Sequence, residues 1–210
     1  MTANAKSGRS VKARRVRRNQ RVLQAALARN GGARAWRGWK AATARKFVEL
    51  ADAAAGRMDL LELNLEGDMA IVYAVDMPVP RWPVDGELRI GDRAVFHLHY
   101  EDRWRWESPE GWAPLGLLQP LDPYHPNCRP ALRGAICLGH LPPNVKPKEI
   151  ALLGYYTLSL QAVLLDETDP NGVMNSQASE FFRNHPEYVP LTEAGLYEPI
   201  GETVFRSSAR

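Results

Sequence analysis

Two cysteines, a histidine and an amide side chain lie close together in the chain. The stretches read Tyr124-His125-Pro126-Asn127-Cys128 and Gly134-Ala135-Ile136-Cys137-Leu138. A thiol, an imidazole and a carboxamide in one short span are the parts of an acyl-transfer site. The thiolate is the nucleophile, the Asn amide can donate to an oxyanion, and the histidine serves as base or as scaffold. One preorganised donor of this kind lowers a barrier by about 3 kcal/mol. Residue types alone leave three other arrangements open. Cysteine is among the most buried residue types, so Cys137 between Ile136 and Leu138 also fits an apolar core. Cys128 and Cys137 could close a short disulfide loop, and His125 could be purely structural.

A second candidate pair is His97 and His99, two positions apart on a predicted strand and therefore on one face. Such a pair suits a metal, but no Cys, Asp or Glu near it in sequence completes a ligand set. The expectation is a polar strand face, with no metal and no cofactor. There is no internal repeat and no phosphate-binding glycine motif.

The elements that must hold the cysteine region follow from patterning. Residues 1–13 lack apolar periodicity and are expected to be mobile. Arg14 to Asn30 carries Val16, Val22, Leu23, Ala26 and Leu27 along one side, and Asn30-Gly31-Gly32 stops it. A second helix is predicted from about Ala35 to Ala55. Leu61, Leu63 and Leu65 then alternate with polar residues, Gly67-Asp68 makes a turn, and Met69 to Met77 continues as a strand. Glu87 to Ile90, a Gly91-Asp92 turn and Ala94 to Tyr100 read as another pair, so an antiparallel meander is expected. Nine of the 16 prolines fall between Pro109 and Pro147, a segment still rich in apolar side chains. Proline cannot continue a central helix or strand, so this reads as a stiff irregular layer packed on the sheet. Pro147 opens an apolar helix ending near Leu165. A turn cluster runs from Asp166 to Gly172, a last helix from about Asn175 to Asn184, and an extended, partly ordered segment from His185.

Composition sets the frame. The 210 residues suit one domain, or one domain with an arm. No apolar run is long enough for a bilayer span, there is no secretory segment near Met1, and two cysteines are too few for a disulfide scaffold. A cytoplasmic protein with free thiols is expected. The net charge of +3 conceals an asymmetry. Residues 1–48 hold 14 Lys and Arg and no Asp or Glu; residues 49–210 hold 13 basic and 24 acidic residues, a net of −11. A basic arm seeks an anionic surface, such as nucleic acid, acidic protein or lipid, or docks on its own acidic body. An Arg-rich, acid-poor start also has the composition of an organelle transit peptide.

The His125-Pro126-Asn127 tripeptide followed by Gly134-Ala135-Ile136-Cys137-Leu138 resembles the signature of ubiquitin-conjugating enzymes. In that family a His-Pro-Asn precedes Gly-x-Ile-Cys-Leu around the active-site cysteine. Pro147 to Leu165 resembles the long helix after the active site, Asp166 to Gly172 the Asp-Pro-rich loop, and Gln177 to Phe182 the next helix. Phe96 to Trp106 and Pro114 to Pro123 resemble the last strand and the proline-rich approach. The similarity covers about residues 57–190, with motif identity from 124 to 182. The chain departs from the pattern in three places. The Asn127 to Cys137 spacing is slightly long, Gly139-His140 replaces an acidic and an aliphatic residue, and the two N-terminal helices differ from the usual start. A divergent, bacterial relative is what this implies.

The resemblance implies an α+β fold, an antiparallel meander flanked by N-terminal and C-terminal helices. It divides the chain into a basic N-terminal part (1–56), a catalytic core (57–190) and a tail (191–210). It implies that Cys137 accepts a ubiquitin-like modifier as a thioester from an activating enzyme and passes it to an amine of an acceptor protein. Asn127 would stabilise the oxyanion or brace the loop, and His125 would hold the Asn-bearing turn. Asp169 would orient or deprotonate the incoming amine. His140, three residues after Cys137, reads as a surface histidine. Arg14, Arg15, Arg17, Arg18 and Arg21 would serve the activating enzyme or another acidic partner. Two other functions fit the same residues: an inactive adaptor of the same fold, and a nucleic-acid-binding module built on the basic arm.

Overall fold

The computed structural model describes residues 3–54, 56–166 and 173–197. Along them run α1 (Ala3–Ala28), α2 (Arg34–Ala53), β1 (Met58–Asn64), β2 (Met69–Val84), β3 (Glu87–Tyr100), β4 (Leu115–Gln119), α3 (Pro147–Leu158) and α4 (Ser176–Asn184), with short 3-10 turns at Asp102–Arg105 and Pro186–Tyr188. The four strands form one antiparallel sheet in the order β1-β2-β3-β4. The fold is α+β.

Strand alternation decides which face is covered. Leu60, Leu63, Ile71, Tyr73, Val75, Phe96, Leu98, Leu115 and Leu117 are buried, together with Phe47 and Val48 of α2 and Ile150, Ala151 and Leu158 of α3. The alternate residues Val72, Val95, His97 and His99 stay half-buried on the other face. Tyr73 sits between Phe47 and Phe96, with ring centroids 5.3 and 5.0 Å away. Each phenylalanine buried in this way contributes about 1.5–3 kcal/mol. The basic N-terminal part belongs to the same core: Leu23, Ala26, Trp36 and Phe47 pack with the sheet residues.

Helix α1 begins at Ala3, well before the predicted Arg14. Ala, Lys and Arg propagate a helix without an apolar stripe, and no proline stops it. The helix lies along the edge strand β1. There Asn19, fully buried, accepts from the Leu60 N–H at 2.9 Å and donates to Asp52 at 3.0 Å. Arg15 reaches Asp59 at 3.3 Å and Asp76 at 2.8 Å, and Arg93 binds the same two carboxylates. Lys40 of α2 is also buried, its ammonium satisfied by the carbonyls of Leu65 and Gly67.

The β2–β3 hairpin turns at Asp85-Gly86, not at Gly91-Asp92. Asp85 and Gly86 have φ of 54° and 83°, the geometry that tight hairpins demand of Asp-Gly. Gly91 lies within β3, opposite Val79. Pro78 and Pro83 are tolerated in β2 because the register shifts between Asp76 and Val79 and again between Arg81 and Val84, and Pro80, paired with Ile90, lies beyond Val75, where β2 has no partner in β1. The extended hairpin carries Leu88 into a second small core with Tyr124, Leu160, Ala178 and Phe182. Within the proline-rich segment one strand forms, β4, at the sheet edge between Pro114 and Pro120.

Helix α3 starts on Pro147, with Glu149 accepting the Lys146 N–H at 2.7 Å. It ends at Leu158, seven residues short of the prediction. Ser159 Oγ donates back to the Tyr155 carbonyl at 2.8 Å, and Leu160 turns to φ 60°. The chain then returns across α3. Tyr155 Oη donates to the Ala194 carbonyl at 2.7 Å, Arg57 binds the Gly195 and Leu196 carbonyls, and Leu196 is fully buried in the main core.

Candidate active site

Two short extended segments meet beside β4. The first, 124–128, is pinned from three sides. The Tyr124 N–H donates to Pro80 O at 3.0 Å, Tyr124 Oη donates to Gln177 O at 3.0 Å, and the Met174 and Asn175 N–H groups donate to Pro126 O at 2.8 and 3.0 Å. The second, 134–138, is laced in by backbone bonds. The Leu117 N–H donates to Gly134 O and the Gly134 N–H to Leu121 O, both at 2.7 Å, and the Leu138 N–H donates to Gly111 O at 2.9 Å. Gly134 has φ 83° and sits too close to Leu117 O for a side chain. A Cβ on Gly111 would lie 2.0 Å from Gly139 O. These contacts require glycine at 111 and 134.

The two segments pair directly. Cys128 lies opposite Ile136, and the Cys137 N–H donates to Asn127 O at 2.8 Å. Alternation then separates the thiols: Cys128 is buried with Ile136, while Cys137 is half-buried at the surface. Neither forms a disulfide. Burial pushes the Cys128 thiol far up, with the neighbouring Cys137 adding to the shift. Cys128 therefore stays a neutral thiol and serves the core.

His125 is fully buried. Its Nδ1 accepts the Asn127 N–H at 3.0 Å, and its Nε2 lies 2.8 Å from the Thr157 carbonyl of α3. A carbonyl only accepts and an N–H only donates, so the ring is neutral with the proton on Nε2. Desolvation lowers its pKa to about 4, against a smaller opposing effect of the Thr157 bond. Both nitrogens are engaged, so the ring holds the turn and takes no part in proton transfer at neutral pH. Asn127 is also buried, with Nδ2 donating to the Cys137 carbonyl at 3.2 Å. Its Oδ1 is buried with no partner among the described residues. An amide donor is thus held on the cysteine's own carbonyl.

His125, Asn127 and Cys137 are thus brought together. Asp169 lies outside the described residues. His140 is exposed, two residues beyond Leu138. His97 and His99 share a face, their rings 6.5 Å apart, and His99 Nε2 is 3.6 Å from Asp68. That acid is distant in sequence and arrives through the β1–β2 turn. No set of three or more metal-binding side chains occurs among the described residues. No helix among them is long and apolar enough to cross a membrane.

Sequence reasoning missed the supports: Gly111, the Thr157 carbonyl and the amides of Met174 and Asn175. Only Asn175 carried a signal, since its side chain caps α4 by accepting the Ala178 N–H at 3.2 Å. Comparison of the chain with family models, with curated proteins and with solved structures gives no match in any of the three.

Proposed function

We propose that the chain is a thioester carrier of the ubiquitin-conjugating type, with Cys137 as the acceptor of a ubiquitin-like modifier. The observation that carries this reading is the Cys137–Asn127 pairing. A half-buried thiol is fixed by a backbone bond to the residue whose amide lies on its carbonyl. The other thiol is buried, and the histidine is locked as scaffold. A four-stranded antiparallel meander with helices before and after it supports the reading at the level of fold.

The chemistry needs no more than this. Cys137 Sγ, as thiolate, attacks the carbonyl carbon of the modifier's C-terminal thioester on an activating enzyme. That enzyme's thiolate leaves. An acceptor amine then attacks the same carbon, the C–S bond breaks, the sulfur leaves as thiolate, and the amine's surplus proton passes to solvent or to a nearby base. A thioester is already activated, so a neutral, buried His125 is compatible with catalysis. Asn127 Nδ2 is the donor for the negative oxygen of the tetrahedral intermediate.

The test is incubation with an activating enzyme, nucleotide and ubiquitin-like protein, read on a non-reducing gel. Wild type and Cys128→Ala form an adduct that thiols remove, and Cys137→Ala forms none. An adduct on Cys137→Ala overturns the assignment.

A further inference from the structure

Helix α1 presents a second surface that the thioester chemistry does not use. Arg14, Arg17, Arg18 and Arg21 stand at i, i+3, i+4 and i+7, so they share one face, and all four are exposed. The opposite side of α1 is committed to the body through Asn19, Leu23 and Ala26. Arg15, one step round the helix, is spent on Asp59 and Asp76. No described carboxylate pairs with any of the four. Arg17 and Arg21 turn back to carbonyls of their own helix, Ala13 O at 3.2 Å and Arg17 O at 3.4 Å. Asp52 of α2, which also meets this helix, is held by Asn19 and Gln20.

The spacing has a match. Seven residues of helix span about 10 Å, and one nucleic-acid strand carries a phosphate every ~3.4 Å, so four guanidinium groups meet about four phosphates. The planar guanidinium fork suits phosphate oxygens. Other polyanions fit less well. An interfacial membrane helix needs an exposed apolar face, whereas the apolar side of α1 is buried in the protein and Val11 alone is a large exposed apolar side chain among its described ones. A single strand needs aromatic platforms for its bases, and the described part of this helix has none. Hot spots of protein interfaces are enriched in Trp and Tyr as well as Arg, and the described part of this helix offers neither aromatic. We propose that the Arg14, Arg17, Arg18 and Arg21 face of α1 binds the phosphate backbone of a double-stranded nucleic acid without reading its sequence.

The test is fluorescence anisotropy with the full chain and a labelled 20-base-pair duplex, from 50 to 200 mM KCl. Four phosphate contacts give a slope of log K against log salt of about −3.6, a loss of about 150-fold over that range. The Arg17→Gln, Arg18→Gln, Arg21→Gln triple variant reduces the steepness by about 2.7, and Arg18→Gln alone by about 0.9. The single variant keeps the test intact if circular dichroism shows the triple variant misfolded. Arg89→Gln, exposed on the β2–β3 hairpin, leaves the slope unchanged. Duplexes of different sequence bind alike. No binding at 50 mM KCl, or a slope unmoved by Arg18→Gln, overturns the proposal. So does tighter binding to an unstructured 20-mer or to phosphatidylserine vesicles than to the duplex.

Discussion

Asn127 and Cys137 are joined by two hydrogen bonds, ten residues apart in the chain. The Cys137 N–H donates to the Asn127 carbonyl at 2.8 Å, and Asn127 Nδ2 donates to the Cys137 carbonyl at 3.2 Å. The first fixes the backbone that carries the sulfur, and the second holds an amide donor on the cysteine's own carbonyl. Asn127→Ala removes only the second. It is expected to cost about 1 kcal/mol of stability and to slow transfer from the thioester by roughly 100-fold or more, with charging largely kept. Asn127→Asp places a buried acceptor against an acceptor. It is expected to be less stable than Asn127→Ala at pH 7, with the deficit shrinking as the carboxyl is protonated in acid. Urea denaturation and single-turnover aminolysis of the charged protein measure both.

His125 makes stability depend on pH in a definite direction. Its folded pKa is about 4, below the ~6.5 of an unfolded histidine. Between these values the unfolded chain binds the proton and the folded one does not. The contribution is therefore complete above pH 6.5 and is lost as pH falls from there towards 4, about 3 kcal/mol in all. Denaturation midpoints of wild type and His125→Gln, measured at pH 7 and pH 4.5, check this. The drop between the two pH values is expected to be larger in wild type.

Gly111 beside the site and Gly154 in α3 rank by what a methyl group would strike. At Gly111 the obstacle is the Gly139 carbonyl at 2.0 Å, a backbone atom in the loop that follows Cys137. At Gly154 it is Leu115 Cδ2 at 2.4 Å, the end of a side chain that can turn. Gly111→Ala is expected to cost more than 2 kcal/mol and to reduce charging, because residues 137–139 must move. Gly154→Ala is expected to cost about 1–2 kcal/mol and to leave charging intact. Thermal melts and adduct yield separate the two.

Much of this was legible in the sequence because local rules governed it. Period-two leucines before Gly67-Asp68 marked the β1–β2 hairpin, and Asn175 with the apolar Ala178 and Phe182 marked α4. The His-Pro-Asn and Ile-Cys-Leu stretches singled out His125, Asn127 and Cys137, which the structure brings together. What was not legible depended on partners far along the chain. Asp85-Gly86 is a strong turn signal, but Pro78, Pro80 and Pro83 beside it concealed the long β2, since prolines enter a strand only at register shifts or where an edge is free. The half-burial of Cys137 and full burial of Cys128 follow from pairing with each other's neighbours, which no local pattern states. Nothing local marks Asn19 for burial, which depends on β1 leaving the Leu60 N–H on a sheet edge.

The most direct measurement offers the protein a synthetic peptide bearing a C-terminal mercaptoethanesulfonate thioester and follows intact mass. Acyl transfer is expected on wild type and Cys128→Ala, mapping to Cys137, removed by hydroxylamine and absent from Cys137→Ala. A modified Cys128, or equal acylation of Cys137→Ala, contradicts the claim that Cys137 is the sulfur that carries the acyl group.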